Sequence, residues 1–247
     1  MESPLNPATV NDQQSKLNRT EVAHLVTPRT LDEVRGALRL ARRRGLPVAV
    51  CGGRHAMGGQ QFSTGGVLLD LSALDAVHDL DPQRGLVTVE AGIFWPALME
   101  ELDRRQPDAD RPWCIRQKQT GVDRVSLGGS LAANAHGRGL TLPPLVEDVE
   151  AFTLMDAAGH LHHCSRTENA ERFALAIGGY GCFGLILDVT LRLVRRQTVQ
   201  RRVQPIAVAD PIPLAEQQLD AGALYGDCQY ATHLQDPADQ HALTPSA

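Results

Sequence analysis

Four glycines lie within residues 52–59, directly after a short apolar strand predicted at 47–50. Apolar residues recur at helical spacing over 31–44, and Gly45 stands where a helix should end. This order of helix, strand and glycine loop indicates an α/β unit, and the free backbone N–H groups of such a loop suit phosphate oxygens. The segment lacks the Gly-Lys-Ser/Thr ending of a nucleotide-triphosphate loop. A structural turn remains the alternative, although a turn needs only one or two glycines.

Alternating apolar residues and turn signals predict the remaining elements of the chain. A polar, mobile leader is expected over residues 1–19, and a proline- and aspartate-rich stretch at 106–112 indicates a subdomain junction. The predicted strands are 67–71, 77–80, 86–90, 149–155, 160–164 and 185–194, and the later helices are 96–105, 165–177 and 214–224. A further strand is predicted at 227–233, before a polar tail.

Residues 179–184 match the dinucleotide fingerprint Gly-x-Gly-x-x-Gly literally. That fingerprint requires a strand before it and a helix after it, so that the helix N-terminus faces a pyrophosphate. Here the predicted helix comes first and the strand follows. A nicotinamide-dependent dehydrogenase is therefore the disfavoured interpretation, and a tight ligand-facing turn is favoured.

Two groups of histidines could carry chemistry. His55 in the glycine loop could be a solvated side chain, a phosphate donor, or a nucleophile that attaches to a cofactor. His160, His162, His163 and Cys164 look like metal ligands, but strand alternation places His162 and His163 on opposite faces. We expect no metal site there, because no further ligand cluster lies nearby.

Composition and charge exclude several classes of function. The chain has 247 residues, of which 43% are hydrophobic and 21% are charged, and its formal charge is −5. Such a balance gives no electrostatic footprint for nucleic acid or an anionic membrane. The five cysteines form no Cys-x-x-Cys pair, and the N-terminus lacks an apolar secretory core. A reducing, cytoplasmic location is therefore expected.

Three separated motifs resemble the vanillyl-alcohol oxidase/p-cresol methylhydroxylase flavoproteins over about residues 21–196. The first motif is VAVCGGRHAMGGQ at 48–60, followed by GGVLLDL at 65–71. The second is SLGGSL at 126–131 with HGRG at 136–139, and the third is AIGGYGCFG at 176–184. The first motif is most similar to the loop of cytokinin dehydrogenases and other members with a flavin-linked histidine.

The resemblance implies an α+β fold with two α/β subdomains, about 20–106 and 113–196, and FAD extended between them. The first motif would hold the diphosphate, and the other two would line the adenine-ribityl path and the flavin edge. His55 aligns with the family position for an 8α-histidyl flavin bond, which some relatives lack. The residues carried over as cofactor-binding are Gly52, Gly53, Arg54, His55, Gly59, Gln60, Ser126, Gly128, Gly129, His136, Gly137 and Ile186.

The sequence departs from the family in two places, one that bears on the flavin linkage and one that bears on the substrate. Members with a second covalent link use a cysteine in the middle motif, where residues 132–135 offer none, so a bicovalent flavin is not expected. Cytokinin dehydrogenases place a catalytic aspartate at the position of Gly121, and the nearest carboxylate here is Asp123. Cytokinin is therefore disfavoured as the substrate. The catalytic base stays unassigned, with Asp123 as a candidate, because family enzymes often supply this group from the substrate domain.

The resemblance implies a flavin-dependent oxidoreductase that passes hydride from a small organic substrate to FAD, with oxygen or another acceptor reoxidising it. Family enzymes add a substrate domain, of which residues 197–247 would be a remnant. The chain is therefore expected to be truncated, or to need a second chain that supplies that domain. The alternative is a non-catalytic flavin-binding protein. No nucleic acid or membrane partner is expected.

Overall fold

The structure is a computed structural model that describes residues 4–119, 121–203, 206–207, 211–230 and 242–244. Its helices there are α1 (Leu31–Arg44), α2 (Trp95–Arg104), α3 (Leu127–Ala132), α4 (Ala170–Ala176) and α5 (Pro211–Asp220). Its strands are β1 (Ala8–Val10), β2 (Thr20–Val22), β3 (His24–Val26), β4 (Val48–Cys51), β5 (Val67–Asp70), β6 (Val77–Asp81), β7 (Leu86–Glu90), β8 (Trp113–Cys114), β9 (Val149–Met155), β10 (Leu161–Ser165), β11 (Leu185–Arg192), β12 (Val194–Arg195), β13 (Ile206–Ala207), β14 (Gln229–Tyr230) and β15 (Ala242–Thr244).

The first layer is a parallel sheet in the order β3-β5-β4, against which α1 packs. The helix begins where the Thr30 hydroxyl accepts a hydrogen bond from the Glu33 amide, and it ends at Gly45 in the left-handed conformation. Its buried face includes Val34 and Leu38, so the predicted helix over 31–44 is confirmed. The α/β unit that delivers β4 to the glycine loop is thus determined by local signals.

The second layer is an antiparallel sheet in the order β10-β9-β11-β7-β6. Buried and half-buried side chains alternate from Leu187 to Arg192 in β11, and the buried Val189 and Leu191 form a core with side chains of α2, α3 and α4. Phe152 of β9 stacks on Phe173 of α4 at a centroid distance of 5.2 Å. Residues 77–104, which the sequence grouped with the first subdomain, therefore belong to this second layer.

The two layers share one hydrophobic cluster. Met155, Leu185 and Leu187 of the second sheet pack with Val34 and Leu69 of the first layer. A register irregularity between Ile186 and Asp188 leaves Leu187 outside the regular pairing of β11 with β9. The first layer is therefore fixed against the end of the second sheet at which β9 ends and β11 begins, directly after the glycine-rich turn.

The predicted mobile leader is ordered over its described part. Strands β1 and β2 pair as an antiparallel hairpin, whose connection closes around the buried carboxylate of Asp12. Burial alone raises the pKa of Asp12, but hydrogen bonds from Asn18, Ser15 and Lys16 outweigh it and hold that pKa well below its ordinary value. The polar composition of residues 1–19 indicated mobility, whereas these polar groups hydrogen-bond to one another and form a turn.

The helix predicted at 165–177 is shorter than expected. The Ser165 hydroxyl accepts hydrogen bonds from the amides of Thr167 and Glu168, which forms a local turn before the helix. Asn169 then adopts a left-handed conformation, and α4 begins at the next residue. The serine thus ends β10 in a turn rather than starting the helix.

The segment after residue 210 contacts the C-terminal end of the second motif, at residues 136–139. Its helix is α5, and the strand predicted at 227–233 is described only over β14. Tyr225 pairs with Gly139 in an isolated bridge and donates its hydroxyl hydrogen to the Arg116 carbonyl at 2.8 Å. Residues 231–233 and most of the polar tail lie outside the described residues. No helix within the described ranges is both long enough and apolar enough to cross a membrane.

Replacing Leu98 by alanine tests the core of the second layer. Leu98 of α2 is fully buried, so Leu98→Ala should lower the free energy of unfolding by about 2–5 kcal/mol. Leu17 is 85% exposed, so Leu17→Ala should change it by less than about 0.5 kcal/mol. Urea unfolding followed by circular dichroism measures both, and equal effects would contradict this packing.

Candidate cofactor-binding site

A cavity of about 410 Å³ lies where the carboxyl end of β4, helix α3 and the turn after α4 meet. Cofactor pockets in proteins occupy roughly 300–1,000 Å³. All three motifs contribute to its wall. The lining residues are 50–56, 60, 61, 71, 91, 119, 122, 125, 126, 128–130, 132, 133, 135, 176, 180, 181, 184 and 186.

The first and second motifs meet through backbone that only glycine permits. A Cβ added at Gly53 would overlap the carbonyl oxygen of Arg124, and one at Gly52 would overlap the Ser126 hydroxyl. Ser126 in turn caps α3 by accepting a hydrogen bond from the Gly129 amide at 3.2 Å. The loop after β4 therefore lies directly against the start of α3.

The third motif closes the cavity from the other end of α3. The amides of Gly178 and Tyr180 donate to the carbonyls of Leu131 and Ala132, both at 3.0 Å. A Cβ at Gly181 would lie 2.8 Å from a methyl group of Val50. This turn thus contacts both α3 and β4, which confirms a tight turn between a helix and a strand.

His55 lines the cavity and is not a solvated loop residue. Its Nδ1 atom is buried and has no hydrogen-bond partner in the protein. A buried polar atom without a partner is costly unless a ligand or a solvent molecule satisfies it. The imidazole is therefore available to a bound cofactor, either as a hydrogen-bonding group or as a nucleophile.

Arg54 is the one charged side chain among the described residues that line the cavity. Its backbone is left-handed, with φ of 54°, and its guanidinium lies 4.0 Å from the Asp70 carboxylate. Burial, reinforced by Asp70, raises the pKa of the neighbouring Cys51 thiol far above its ordinary value. The thiol stays neutral and unreactive, so the cavity offers a cation but no thiolate.

Two glutamines complete the polar wall, and the sequence did not single out either. Gln119 accepts hydrogen bonds from the Trp95 indole at 3.0 Å and from the Ser130 hydroxyl at 3.0 Å. Both polar atoms of the Gln61 side chain are buried without partners. Gln61 directly follows the first motif, but the role of Gln119 depends on a tertiary contact with α2 that no local pattern indicates.

Nine of the twelve residues predicted to bind the cofactor line this cavity, and three lie elsewhere. Gly59 packs against Asn18, Gly137 packs against the Lys118 carbonyl, and the His136 ring bonds to its neighbouring carbonyl. The nine are Gly52, Gly53, Arg54, His55, Gln60, Ser126, Gly128, Gly129 and Ile186.

Asp123 lies outside the residues that line the cavity. Its carboxylate is 68% exposed and forms an ion pair with the Lys118 ammonium at 2.7 Å. A group in this position has no contact with the cavity that would suit a base.

The histidines of β10 are not assembled into a metal centre. His162 bonds to the Asp156 carboxylate at 2.9 Å, which is the main reason that the pKa of Asp156 is low, and Cys164 is buried. Residues 4–119, 121–203 and the later described segments contain no group of three or more potential ligands placed to hold a metal ion.

A family model described as an FAD binding domain matches residues 22–165, more than half of the chain. The chain belongs to this family. L-gulonolactone oxidase of Bos taurus is 33% identical over 178 residues, which are 72% of this chain and 39% of that enzyme. An uncharacterised oxidoreductase of the fasciation locus of Rhodococcoides fascians is 32% identical over 169 residues, 68% of this chain and 37% of that protein.

L-gulono-1,4-lactone dehydrogenase of Mycobacterium tuberculosis is 29% identical over 196 residues, 79% of this chain and 43% of that enzyme. The matches thus span less than half of each relative's length. They confirm the expected flavoprotein family, the α+β fold and FAD as the cofactor.

The cavity fits FAD in three respects. It is walled by glycine backbone at the first motif, it presents the Arg54 cation toward an anionic ligand, and it holds an unpartnered imidazole. FAD contains a diphosphate and an electron-accepting flavin ring, so such a site would supply both charge and position.

Adding one methyl group at Gly53 tests the contact between the loop and α3. Gly53→Ala should weaken FAD binding by about tenfold or more, because the Cβ would displace the loop from the Arg124 carbonyl. Gly36→Ala is the matched control, since a Cβ there meets only the end of the Arg39 side chain at 3.9 Å. Fluorescence titration with FAD measures both, and equal affinities would contradict the proposed binding surface.

Proposed function

We propose that this FAD domain serves the oxidation of a lactone of a sugar acid. Two of the relatives are named for such substrates, L-gulonolactone oxidase and L-gulono-1,4-lactone dehydrogenase. The cavity supports the FAD-binding part of this proposal, because all three motifs form its wall. When bound, FAD would accept a hydride from a carbinol carbon of the substrate and pass the electrons to oxygen or another acceptor.

The residues of this chain would bind and orient the cofactor. The backbone at Gly52 and Gly53 would meet the diphosphate, with Arg54 supplying positive charge. Gln119 is oriented by Trp95 and Ser130, so its amide group enters the cavity wall already ordered. Gln61 offers an unpaired amide to the polar edge of the ligand. The apolar side chains of Val122, Val125 and Ile186 would exclude water from the remaining wall.

We assign no catalytic base to this chain. Asp123 is ion-paired and exposed, and the described residues that line the cavity include no carboxylate. Removal of the substrate hydroxyl proton would therefore fall to solvent or to residues outside the matched region. The five free thiols support the further proposal of a reducing, cytoplasmic location.

Bleaching of the flavin tests the oxidation directly. Anaerobic addition of L-gulono-1,4-lactone to the FAD-loaded protein should bleach the visible flavin band, and admission of oxygen or an artificial acceptor should restore it. The open-chain gulonate is the matched control, because it keeps the hydroxyl groups and lacks the lactone ring. A loaded protein that no lactone bleaches would contradict the proposal and favour a flavin-binding protein without turnover.

We also propose that His55 is the site of covalent attachment to the 8α carbon of the flavin. A carbon–nitrogen bond would form as a C–H bond of the 8α methyl group and the imidazole N–H bond break. The two electrons and two protons would reduce the flavin, which oxygen or another acceptor would then reoxidise. The proposal is supported by the position of His55 in the first motif and by the unpartnered Nδ1 atom in the cavity wall. A covalent bond would remove the cost of this buried polar atom and retain the cofactor at any concentration of free FAD.

Acid precipitation distinguishes a covalent bond from a contact. Wild-type protein should give a yellow pellet, whereas His55→Ala should release all its flavin into the supernatant. His163→Ala changes an exposed histidine on β10 and should behave as wild type. Complete release of flavin from the wild-type protein would contradict covalent attachment and leave His55 as a non-covalent contact.

A further inference from the structure

The N-terminal hairpin, formed by β1, β2 and the connecting residues 11–19, lies outside the cavity but bonds to the cofactor loop at residues 52–60. We propose that Asn18, oriented by the buried Asp12 carboxylate, is a positioning residue that keeps the cofactor loop in its FAD-binding conformation. This proposal rests on FAD binding at the cofactor loop. Neither residue lines the cavity, so both would act through the loop.

The Asp12 carboxylate organises the turn of the hairpin. It is 1% exposed and accepts hydrogen bonds from the Ser15 hydroxyl at 2.9 Å, the Lys16 amide at 3.1 Å and the Asn18 side-chain amide at 2.8 Å. Asn11 adds a fourth constraint, since its side-chain oxygen accepts from the Asn18 backbone amide at 2.9 Å. The Asn18 side chain is therefore fixed by charge-assisted bonding before it meets the cofactor loop.

Two hydrogen bonds cross from the hairpin to the loop on either side of His55. The Asn18 side-chain amide donates to the Met57 carbonyl at 2.6 Å, and the Gln13 backbone amide donates to the Arg54 carbonyl at 2.8 Å. Arg54 has a left-handed backbone, which is sterically unfavourable for a residue with a Cβ. These two bonds thus fix the loop backbone that places Arg54 and His55 in the cavity wall.

Gly59 supplies a third contact between the two segments. Its φ is 71°, and an added Cβ would lie 2.9 Å from the Asn18 side-chain oxygen. The backbone of the cofactor loop therefore packs directly on the Asn18 amide. This contact explains why Gly59 belongs to the first motif although it does not line the cavity.

If the hairpin stabilises the FAD-binding conformation of the cofactor loop, bound FAD must in turn stabilise the hairpin, because coupling between two equilibria is reciprocal. If the hairpin raises the affinity for FAD by a given factor, bound FAD stabilises the hairpin by the same factor. A hairpin that only stabilises the fold would show no such coupling. The two cases differ in FAD affinity and in hydrogen exchange, and not in the melting temperature of the apoprotein.

The experiment compares three hairpin variants of the full chain. Asn18→Ala should raise the Kd for FAD by about tenfold, which corresponds to the loss of the hydrogen bond from Asn18 to the Met57 carbonyl. Thr9→Val is the control, since it removes an exposed hydrogen bond between Thr9 and Glu21 in the same hairpin and should leave the Kd unchanged. Asp12→Asn, which keeps the size of the side chain, should also weaken FAD binding.

Hydrogen exchange measures the coupling in the wild-type protein first and then in a variant. The amides of Gln13 and Asn18 should exchange more slowly with FAD bound, and Asn18→Ala should abolish that difference at Gln13. Unchanged FAD affinity in Asn18→Ala and Asp12→Asn would overturn the proposal. Equal exchange rates of the Gln13 and Asn18 amides with and without FAD would also overturn it. If the wild-type protein fails to bind FAD, the cofactor assignment falls as well. If wild type and variants bind FAD equally well, only the role of the hairpin falls.

Discussion

The close approach of the backbone at Gly52 and Gly53 to residues 124–126 is the contact on which the site depends. Any side chain at these two glycines would collide with the Arg124 carbonyl or the Ser126 hydroxyl. The contact draws the end of the parallel sheet against the start of α3, which itself packs on β11 of the antiparallel sheet. The cavity is the space that remains between them, and the turn at 178–184 closes its other side.

Local signals in the sequence predicted the elements that form this frame. Apolar spacing and the Thr30 and Gly45 caps predicted α1, and alternation predicted the hairpins and β11. Local signals failed where a side chain bonded to nearby backbone instead of propagating a helix, as at Ser165. They also failed for the N-terminal hairpin, because the buried Asp12 is satisfied by residues of the same polar segment. The placement of residues 77–104 depends on pairing of β7 with β11, about a hundred residues away.

The site was predictable from the sequence where its charged, nucleophilic and glycine residues all lie in one short motif. Glycines that touch other backbone, a cation and a histidine lie together in the first motif, and the structure places most of them on the cavity wall. Gln119 was not predictable, because its orientation comes from Trp95 in another helix. Conversely, Gly59 and Gly137 are glycines that serve packing against neighbouring segments, and motif membership alone could not separate that role from ligand contact.

We propose that the three motifs of this chain together bind one FAD. Titration of the purified, flavin-free chain with FAD tests this most directly, with flavin fluorescence quenching and calorimetry reporting the stoichiometry. We expect saturation at one FAD per chain and a protein that becomes yellow. A protein that remains colourless and takes up no added FAD would contradict it.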